Sequence, residues 1–308
     1  MTTAISPPAR IGFIGLGHLG EPASRAVHKA GFRLALYDLN KDTLARLAAE
    51  YSAETPATLQ ELARSCDVVI TCLPDGKIVR EVALGEQGLA AGMSPSSLLI
   101  DMGSSAPLGT RALGEELARR GLRMMDAPVS GSVRGAVNAQ LIFMIGGAPE
   151  DFERCKPLLS AMGKQQFHLG PLGSGHALKC LNNYIGAAGY IAASEALVAG
   201  RRFGLDPQAM LDVINLSSGG SYNTQNKFSQ QVLSRKWGSG FSLGLMAKDV
   251  RTALELAELT DTPFRLGRHC RELWNEAEQE LGAAADHTEM TRIIEEAAGV
   301  QLAPDNKA

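Results

Sequence analysis

The 308-residue sequence is poor in aromatic side chains, which make up 5% of it, and its five cysteines form no CxxC pair. The cysteines, at positions 66, 72, 155, 180 and 270, have apolar neighbours, as buried thiols in a reducing compartment do. No run approaches the ~18 apolar residues of a membrane-spanning helix, and the N-terminal MTTAISPPAR lacks an apolar signal core. We therefore expect a cytoplasmic protein that associates with no membrane.

An excess of positive charge is also absent, because 30 Lys and Arg face 33 Asp and Glu, for a net charge of −3. This balance argues against nucleic acid as a partner. The six histidines have no HExxH or other metal-ligand spacing, so no metal site is predicted. The segment GFSLG (240–244) matches the nucleophile-elbow pattern GxSxG, but no predicted strand leads into it, and a hydrolase is not expected.

A glycine-rich loop follows the first predicted strand, RIGFIG (10–15), and precedes a predicted helix that ends near Ala30. A second strand, Arg33 to Tyr37, ends at Asp38, 18 residues beyond Gly20, where a carboxylate binds a ribose 2′-hydroxyl. We therefore predict a dinucleotide site at Gly15, Gly17, His18, Leu19, Gly20 and Asp38. Asp38 favours NAD, while nearby Lys41 keeps NADP as an alternative.

Apolar strands then alternate with helical segments such as 108–120. The strands are predicted at 67–73, 97–101, 122–126 and 141–145. This alternation predicts an α/β fold with a Rossmann-type, mostly parallel sheet covered on both faces. Ligands bind beyond the carboxyl ends of such strands, so we expect four loops to converge on one crevice: 15–20, 73–76, 103–107 and 127–135. The last loop is rich in small donors that suit a carboxylate.

One long helix, His176 to Arg202, is predicted after the sheet, roughly 40 Å in length. Only helices follow it. Their predicted positions are an Asp206-Pro207 start, 223–235, 243–259, a Thr262-Pro263 start and a capping box at Asp286 and Glu289. We expect a dinucleotide-binding domain at 1–172 and an all-helical domain at 173–308, which the long helix joins and which provides a substrate cleft and oligomer contacts.

Lys179 and Asn183 lie four residues apart near the start of this helix, so their side chains share one face. Taken alone, the pair is as consistent with a structural role as with a functional one. In the structural role the lysine extends its amine to water and the asparagine bonds locally.

Six stretches occur in a recognisable order: FIGLGHLG (13–20), the LP of CLPDG (72–76), DMGSSAP (101–107), DAPVSGSVRGA (126–136), GHALKCLNN (175–183) and MAKDV (246–250). In these stretches the chain resembles the β-hydroxyacid dehydrogenase family, which includes 3-hydroxyisobutyrate dehydrogenase, tartronate semialdehyde reductase and, more distantly, 6-phosphogluconate dehydrogenase. The resemblance spans about residues 10 to 250.

The resemblance implies that Lys179 is the catalytic acid/base and that Asn183 orients the substrate. It implies further that Ser130, Gly131 and Ser132 hold a substrate carboxylate, and that Lys248 lies against substrate or nicotinamide. Leu73, Pro74 and Ser104 are the remaining cofactor contacts that it implies.

Some residues depart from the family pattern. Gly131-Ser132 replaces the usual Gly-Gly, Leu19 replaces methionine and Gly103 replaces a frequent serine. The added hydroxyl of Ser132 is expected to reshape the carboxylate pocket. Lys179 itself is retained, which separates the chain from the related imine reductases.

The sequence thus predicts an NAD(P)-dependent oxidoreductase that acts on a small 3-hydroxyacid, 3-hydroxyisobutyrate-like or serine-like, as a homodimer or homotetramer. Residues 217–223 and Phe241 are expected to line the rest of the substrate pocket. The alternatives are an NADPH-preferring reductase of a semialdehyde (tartronate or succinic) and a non-catalytic dinucleotide-binding protein.

Overall fold

A computed structural model of the protein describes residues 3–303. The chain divides into two compact units, of which the first ends at Lys179 and the second begins at Cys180. The division therefore lies inside the long helix, a few residues beyond Gly173.

The first unit contains one eight-stranded sheet, in the order β2-β1-β3-β4-β5-β7-β6 with β8 paired to β7. Its strands are β1 (Arg10–Ile14), β2 (Arg33–Tyr37), β3 (Val68–Thr71), β4 (Leu98–Asp101), β5 (Arg123–Asp126), β6 (Val129–Ser130), β7 (Leu141–Gly146) and β8 (Gly163–Gly170). Strands β1 to β5 are mutually parallel, whereas β7 is antiparallel to β5 and β6. The Rossmann-type fold class is confirmed.

Two strands of this sheet were not predicted. β6 has two residues, too few for a periodic pattern, and it lies in the segment 127–135 that was expected to be a loop. β8 has the sequence GKQQFHLG and is largely exposed, so it lacks the apolar run of the buried strands. It forms because its backbone pairs with β7.

Helices cover both faces of the sheet. They are α1 (Gly20–Lys29), α2 (Lys41–Tyr51), α3 (Leu59–Arg64), α4 (Gly76–Leu84), α5 (Pro107–Arg119), α6 (Ser132–Val137) and α7 (Pro149–Ser160), with a 3₁₀ turn at Leu89–Ala91. Alternate strand residues belong to two separate core clusters. Val68 and Ile70 of β3 lie in one cluster and Val69 in the other. This is the pattern that a period of two residues produces in a sheet buried on both sides.

The 30-residue helix α8 (Ser174–Phe203) begins in the first unit and continues into the second, about 45 Å in all. The second unit then contains α9 (Pro207–Leu216), a π-helix (Thr224–Leu233), α10 (Leu243–Leu259), α11 (Arg265–Leu281), a 3₁₀ turn (His287–Glu289) and α12 (Met290–Ala298). Its core is centred on Tyr190, whose ring stacks on Phe228 at 4.9 Å and lies 6.3 Å from Trp274.

Most helix predictions for this unit are confirmed, including the Asp206 cap and the capping box of Asp286 and Glu289. The predicted start at Thr262-Pro263 is wrong, because α11 begins at Arg265. The Thr262 hydroxyl lies 2.9 Å from that of Thr260, so it hydrogen-bonds to a preceding residue and does not cap α11. The helix predicted at 223–235 exists, but with π-type hydrogen bonding. Ser242 of GFSLG is the N-cap of α10.

All five cysteines are free thiols, and burial raises the pKa of Cys72, Cys155 and Cys180 to about 12 and that of Cys270 to about 11. Within residues 3–303, no helix combines the length and hydropathy that crossing a bilayer requires. The same residues contain no cluster of His, Cys, Asp and Glu suited to a metal ion.

His287 is a buried histidine that packs within the second unit. Its Nδ1 lies 2.9 Å from the Ser239 hydroxyl and 3.1 Å from the Phe241 carbonyl oxygen. Burial lowers the pKa of His287 from 6.5 to about 4, and the neighbouring Asp286 only partly offsets this. Between these two pH values the unfolded chain binds more protons at this residue than the folded chain, so stability falls as the pH falls from 6.5 to 4.

We expect acidification from pH 6.5 to 4 to lower the free energy of unfolding of the second unit by about 3 kcal/mol through His287. Both tryptophans, Trp237 and Trp274, lie in this unit, so their fluorescence in a urea titration reports its unfolding. The variant His287→Asn should lose most of this pH dependence. His269→Asn, at a histidine whose side chain is 68% exposed, is the matched control and should keep it. An unchanged pH dependence in His287→Asn would show that His287 is not the source of the loss of stability at low pH.

Candidate active site

The loop between β1 and α1 depends on glycine at two positions for packing within the protein. A Cβ at Gly15, where φ is +91°, would collide with the Cys72 carbonyl oxygen, and one at Gly20 would collide with the Gly15 carbonyl oxygen. Gly15 therefore lets the loop approach the end of β3, and Gly20 lets α1 approach the end of β1.

Gly17 differs from both. A Cβ at this exposed residue would meet no atom of the described chain within 4 Å, so the space beside it is open. The amides of Gly17, His18 and Leu19 donate no backbone hydrogen bond to residues 3–303, and α1 begins directly afterwards at Gly20. Open space beside unpaired amides at a helix N-terminus suits a pyrophosphate.

Asp38 follows β2 and is tied to the same loop. One of its carboxylate oxygens accepts from the Leu16 amide at 2.6 Å, and the other accepts from the Asn40 amide at 2.7 Å. Each oxygen keeps acceptor capacity for a ribose hydroxyl. The Nζ of Lys41 lies 5.5 Å from the centroid of the Tyr37 ring. Lys41 is the residue for which NADP was retained as an alternative cofactor.

The ends of β3 and β4 bring two further loops alongside. Gly103 abuts the Leu73 backbone, and Gly76, the first residue of α4 and two residues beyond Pro74, abuts Ser105, the neighbour of Ser104. In place of the expected loop 127–135 the chain forms β6 and α6, and α6 packs against α1. The four predicted segments thus lie around the carboxyl ends of the parallel strands.

Ser130, Gly131 and Ser132 form the junction of β6 and α6. Ser130 is half-buried and pairs with Ile142 of β7, whereas Gly131 and Ser132 are exposed. Gly131 has φ +123°, and Ser132 has φ +58°, in the left-handed region that favours glycine. Ser132 is therefore a hydroxyl-bearing residue held in a conformation that glycine adopts more easily.

Lys179 and Asn183 are half-buried and lie one turn apart on α8. Helix α8 begins against the sheet, because the carboxylate of Asp126 at the end of β5 accepts hydrogen bonds from the amides of Gly173 and His176, each at 2.7 Å. Lys179 therefore lies on the second turn of a helix whose first turn is bonded to the sheet.

Asp249 is a site residue that sequence reasoning did not assign. The Nδ2 of Asn183 donates to its carboxylate at 2.5 Å, and the Nζ of Lys248 lies 3.1 Å from its other oxygen. It is 1% exposed. This carboxylate therefore orients the Asn183 amide and holds the Lys248 amine. The available signal was an acidic residue within MAKDV, on a face of α10 that otherwise buries Met246, Ala247 and Val250.

Comparison with known proteins gives matches along both units. Residues 10–170 match the family model described as the NAD binding domain of 6-phosphogluconate dehydrogenase. Residues 173–294 match the model described as NAD-binding of NADP-dependent 3-hydroxyisobutyrate dehydrogenase.

Individual relatives agree. A 2-(hydroxymethyl)glutarate dehydrogenase of Eubacterium barkeri is 31% identical, over 95% of this chain and 97% of its own. A 3-hydroxyisobutyrate dehydrogenase of Pseudomonas aeruginosa is 36% identical, over 86% of this chain and 91% of its own length. A structure of the 3-hydroxyisobutyrate dehydrogenase of Mycobacterium tuberculosis with L-serine superposes with a TM-score of 0.84 at 29% identity. The match covers 93% of this chain and 99% of that chain. The chain therefore belongs to the β-hydroxyacid dehydrogenase family of NAD(P)-dependent oxidoreductases.

Proposed function

We propose that the protein oxidises small 3-hydroxyacids whose carboxylate and hydroxymethyl group are attached to the same carbon, with NAD as the preferred cofactor. The molecules named with its relatives, 2-(hydroxymethyl)glutarate, 3-hydroxyisobutyrate and L-serine, share this arrangement. The reverse reaction, reduction of the corresponding semialdehyde, uses the same groups.

The cofactor site consists of the glycine loop, Asp38 and the loops after β3 and β4. The open space at Gly17 and the unpaired amides of His18 and Leu19 fit the pyrophosphate, and Asp38 fits the ribose of NAD while repelling a 2′-phosphate. Leu73, Pro74 and Ser104 are proposed to complete the site. When bound, the nicotinamide supplies the hydride acceptor.

The side chains of this protein supply the rest of the chemistry. Oxidation of the alcohol removes a hydride from carbon and a proton from oxygen. In our proposal, the neutral amine of Lys179 accepts that proton and, in the reductive direction, returns it. Ser130, Gly131 and Ser132 hold the substrate carboxylate, Asn183 hydrogen-bonds the substrate hydroxyl, and Lys248 contacts substrate or nicotinamide.

The hydrogen-bonded set Asn183–Asp249–Lys248 is the observation that carries this proposal. A protein that only bound a dinucleotide would have no need of a buried carboxylate that orients an amide one helical turn from a lysine. Such fixed orientation is what positioning of a substrate requires.

Two further features complete the proposal. Residues through 172 bind the dinucleotide, and the helices from 173 onward contribute substrate-binding side chains and oligomer contacts. Large exposed apolar side chains on α8 and α9, including Ile185, Val213 and Leu216, are the surface we assign to a homodimer or homotetramer. The five free thiols fit a reducing, cytoplasmic environment.

The activity itself is tested by initial rates at the nicotinamide absorbance band with NAD or NADP. The substrates are 3-hydroxyisobutyrate, L-serine and 2-(hydroxymethyl)glutarate, and the semialdehydes are tested in reverse. We expect turnover with at least one acid, a preference for NAD, and a fall in kcat of about 10²–10⁴-fold in Lys179→Ala because the acid/base is lost. NADH affinity, measured by fluorescence, should stay within about twofold.

Lys164→Ala, at an exposed lysine on β8, is the matched control and should behave as wild type. Near-normal turnover in Lys179→Ala, or no activity in either direction with any of these compounds, would contradict the proposal.

A second prediction concerns Asp249→Asn. An amide at this position removes the negative charge beside Lys248 and orients Asn183 less strongly, so kcat should fall about 10–100-fold. Steady-state kinetics measures this, and Asp212→Asn, at an exposed residue of α9, is the control. An Asp249→Asn variant with the wild-type kcat would exclude the positioning role.

The glycine loop offers a pair of substitutions with opposite expectations. Gly17→Ala should fold as wild type, because its Cβ meets no protein atom, yet bind NADH about tenfold more weakly, because the methyl group occupies the proposed pyrophosphate space. Gly20→Ala should lower the thermal stability of the protein through the collision with Gly15. Calorimetry and NADH titration of both variants measure this, and wild-type NADH affinity in Gly17→Ala would argue against the assigned pyrophosphate position.

A further inference from the structure

Two carboxylates lie side by side, fully buried, at the carboxyl ends of neighbouring strands. Asp101 ends β4 and Asp126 ends β5, and the two residues are directly paired in the register of the sheet. A buried carboxylate is costly unless it is hydrogen-bonded, and two adjacent ones also repel each other. Their partners therefore indicate what the arrangement does.

Asp101 bonds mainly within its own loop. It accepts from the Thr71 hydroxyl at 3.2 Å, the Gly103 amide at 2.9 Å and the Ser105 hydroxyl at 2.6 Å. Asp126, by contrast, accepts from two amides at the start of α8, those of Gly173 and His176. Negative charge at this helix end is also favoured by the helix dipole.

The imidazole of His176 lies between the two carboxylates and is itself fully buried. Its Nε2 is 3.7 Å from an Asp101 oxygen and its Nδ1 is 3.6 Å from an Asp126 oxygen. Nδ1 lies 2.8 Å from the hydroxyl of Thr110 on α5, and that hydroxyl already donates to the Ala106 carbonyl oxygen. Which of these two groups donates depends on the tautomer of the imidazole.

Nε2 of His176 makes no hydrogen bond within residues 3–303 and faces the Asp101 carboxylate. The imidazole, on α8, thus lies against both strand ends and against α5. We call Asp101, Thr110, Asp126 and His176 the His176 cluster.

We propose that the His176 cluster fixes the first turn of α8 against the ends of β4 and β5, and that it thereby positions the amine of Lys179 for proton transfer. His176 is a positioning residue in this assignment, since it acts through Lys179. The inference rests on the role proposed above for Lys179.

The helix geometry supports the connection. Lys179 lies three residues beyond His176, so the two side chains leave α8 on neighbouring faces, one turn apart. A small displacement of the first turn therefore moves the amine, and misplacement of a reacting group by about 1 Å costs up to 10²-fold in rate. Burial raises the pKa of Asp126, while His176 and the two amides oppose this rise. Loss of His176 therefore makes the ionised form of the carboxylate that caps the helix less favourable.

The test compares His176→Leu, which removes both ring nitrogens, with His176→Asn, whose amide can still hydrogen-bond to Thr110. Competitive acetylation of Lys179 across a pH series, read by peptide mass spectrometry, reports the ionisation of the amine without needing a substrate. Turnover and NADH affinity are measured alongside. Thr110→Val, which removes the hydroxyl that bonds Nδ1 and the Ala106 carbonyl oxygen, gives a second route if His176→Leu does not fold.

We expect the acetylation midpoint of Lys179 to move by about half a pH unit or more in His176→Leu and kcat to fall about 10–100-fold, with NADH affinity within about twofold. In His176→Asn, the acetylation midpoint of Lys179 and kcat should both return most of the way to their wild-type values. His168→Leu, at a half-buried histidine of the same unit that bonds the Gly147 carbonyl, is the matched control and should change neither.

A wild-type acetylation profile for Lys179 in His176→Leu, or in Thr110→Val if the former does not fold, would overturn the proposal, whether or not kcat falls. A shifted profile in a protein whose wild type turns over none of the hydroxyacids would support the positioning role while the proposed function fails. The two failures are therefore distinguishable.

Discussion

The hydrogen bonds between the Asp126 carboxylate and the start of α8 connect the sheet to the helix that carries Lys179. In an open parallel sheet, ligands bind beyond the carboxyl ends of the strands, which is where Asp126 lies. Here a buried strand-end carboxylate accepts hydrogen bonds from the free amides of a helix, which satisfies both partners. The placement of Lys179 relative to the glycine loop within the first unit depends on this contact.

Much of the fold was predictable because it follows from local rules. Strands alternate with helices, the glycine loop lies between β1 and α1, and Asp38 follows β2 at the expected separation. Apolar periodicity and glycine, proline and capping positions depend on near neighbours in sequence, so they can be interpreted without knowing the tertiary structure. The strand β8 and the start of α11 were missed because they depend on a pairing partner and on a side-chain bond that local patterns do not reveal.

The candidate site was predictable to a smaller degree. Spacing and family resemblance indicated Lys179, Asn183 and the residues of the loops, but not the groups that hold them in place. Asp249 contacts Asn183 across 66 residues of sequence, and Asp126 contacts His176 across 50. Buried carboxylates of this kind become visible only when the fold brings distant segments together. The roles of Lys179 and Asn183 themselves remain predictions.

The buried thiols have a practical consequence for work with this protein. Burial raises the pKa of all five thiols, including Cys66, so little thiolate forms at neutral pH, and thiolate is the form that alkylating reagents and peroxides attack. The folded enzyme thus provides a chemically quiet background for a single cysteine introduced on its surface, which a dye or spin label could modify selectively. Slow labelling of the native cysteines then measures how often the fold opens.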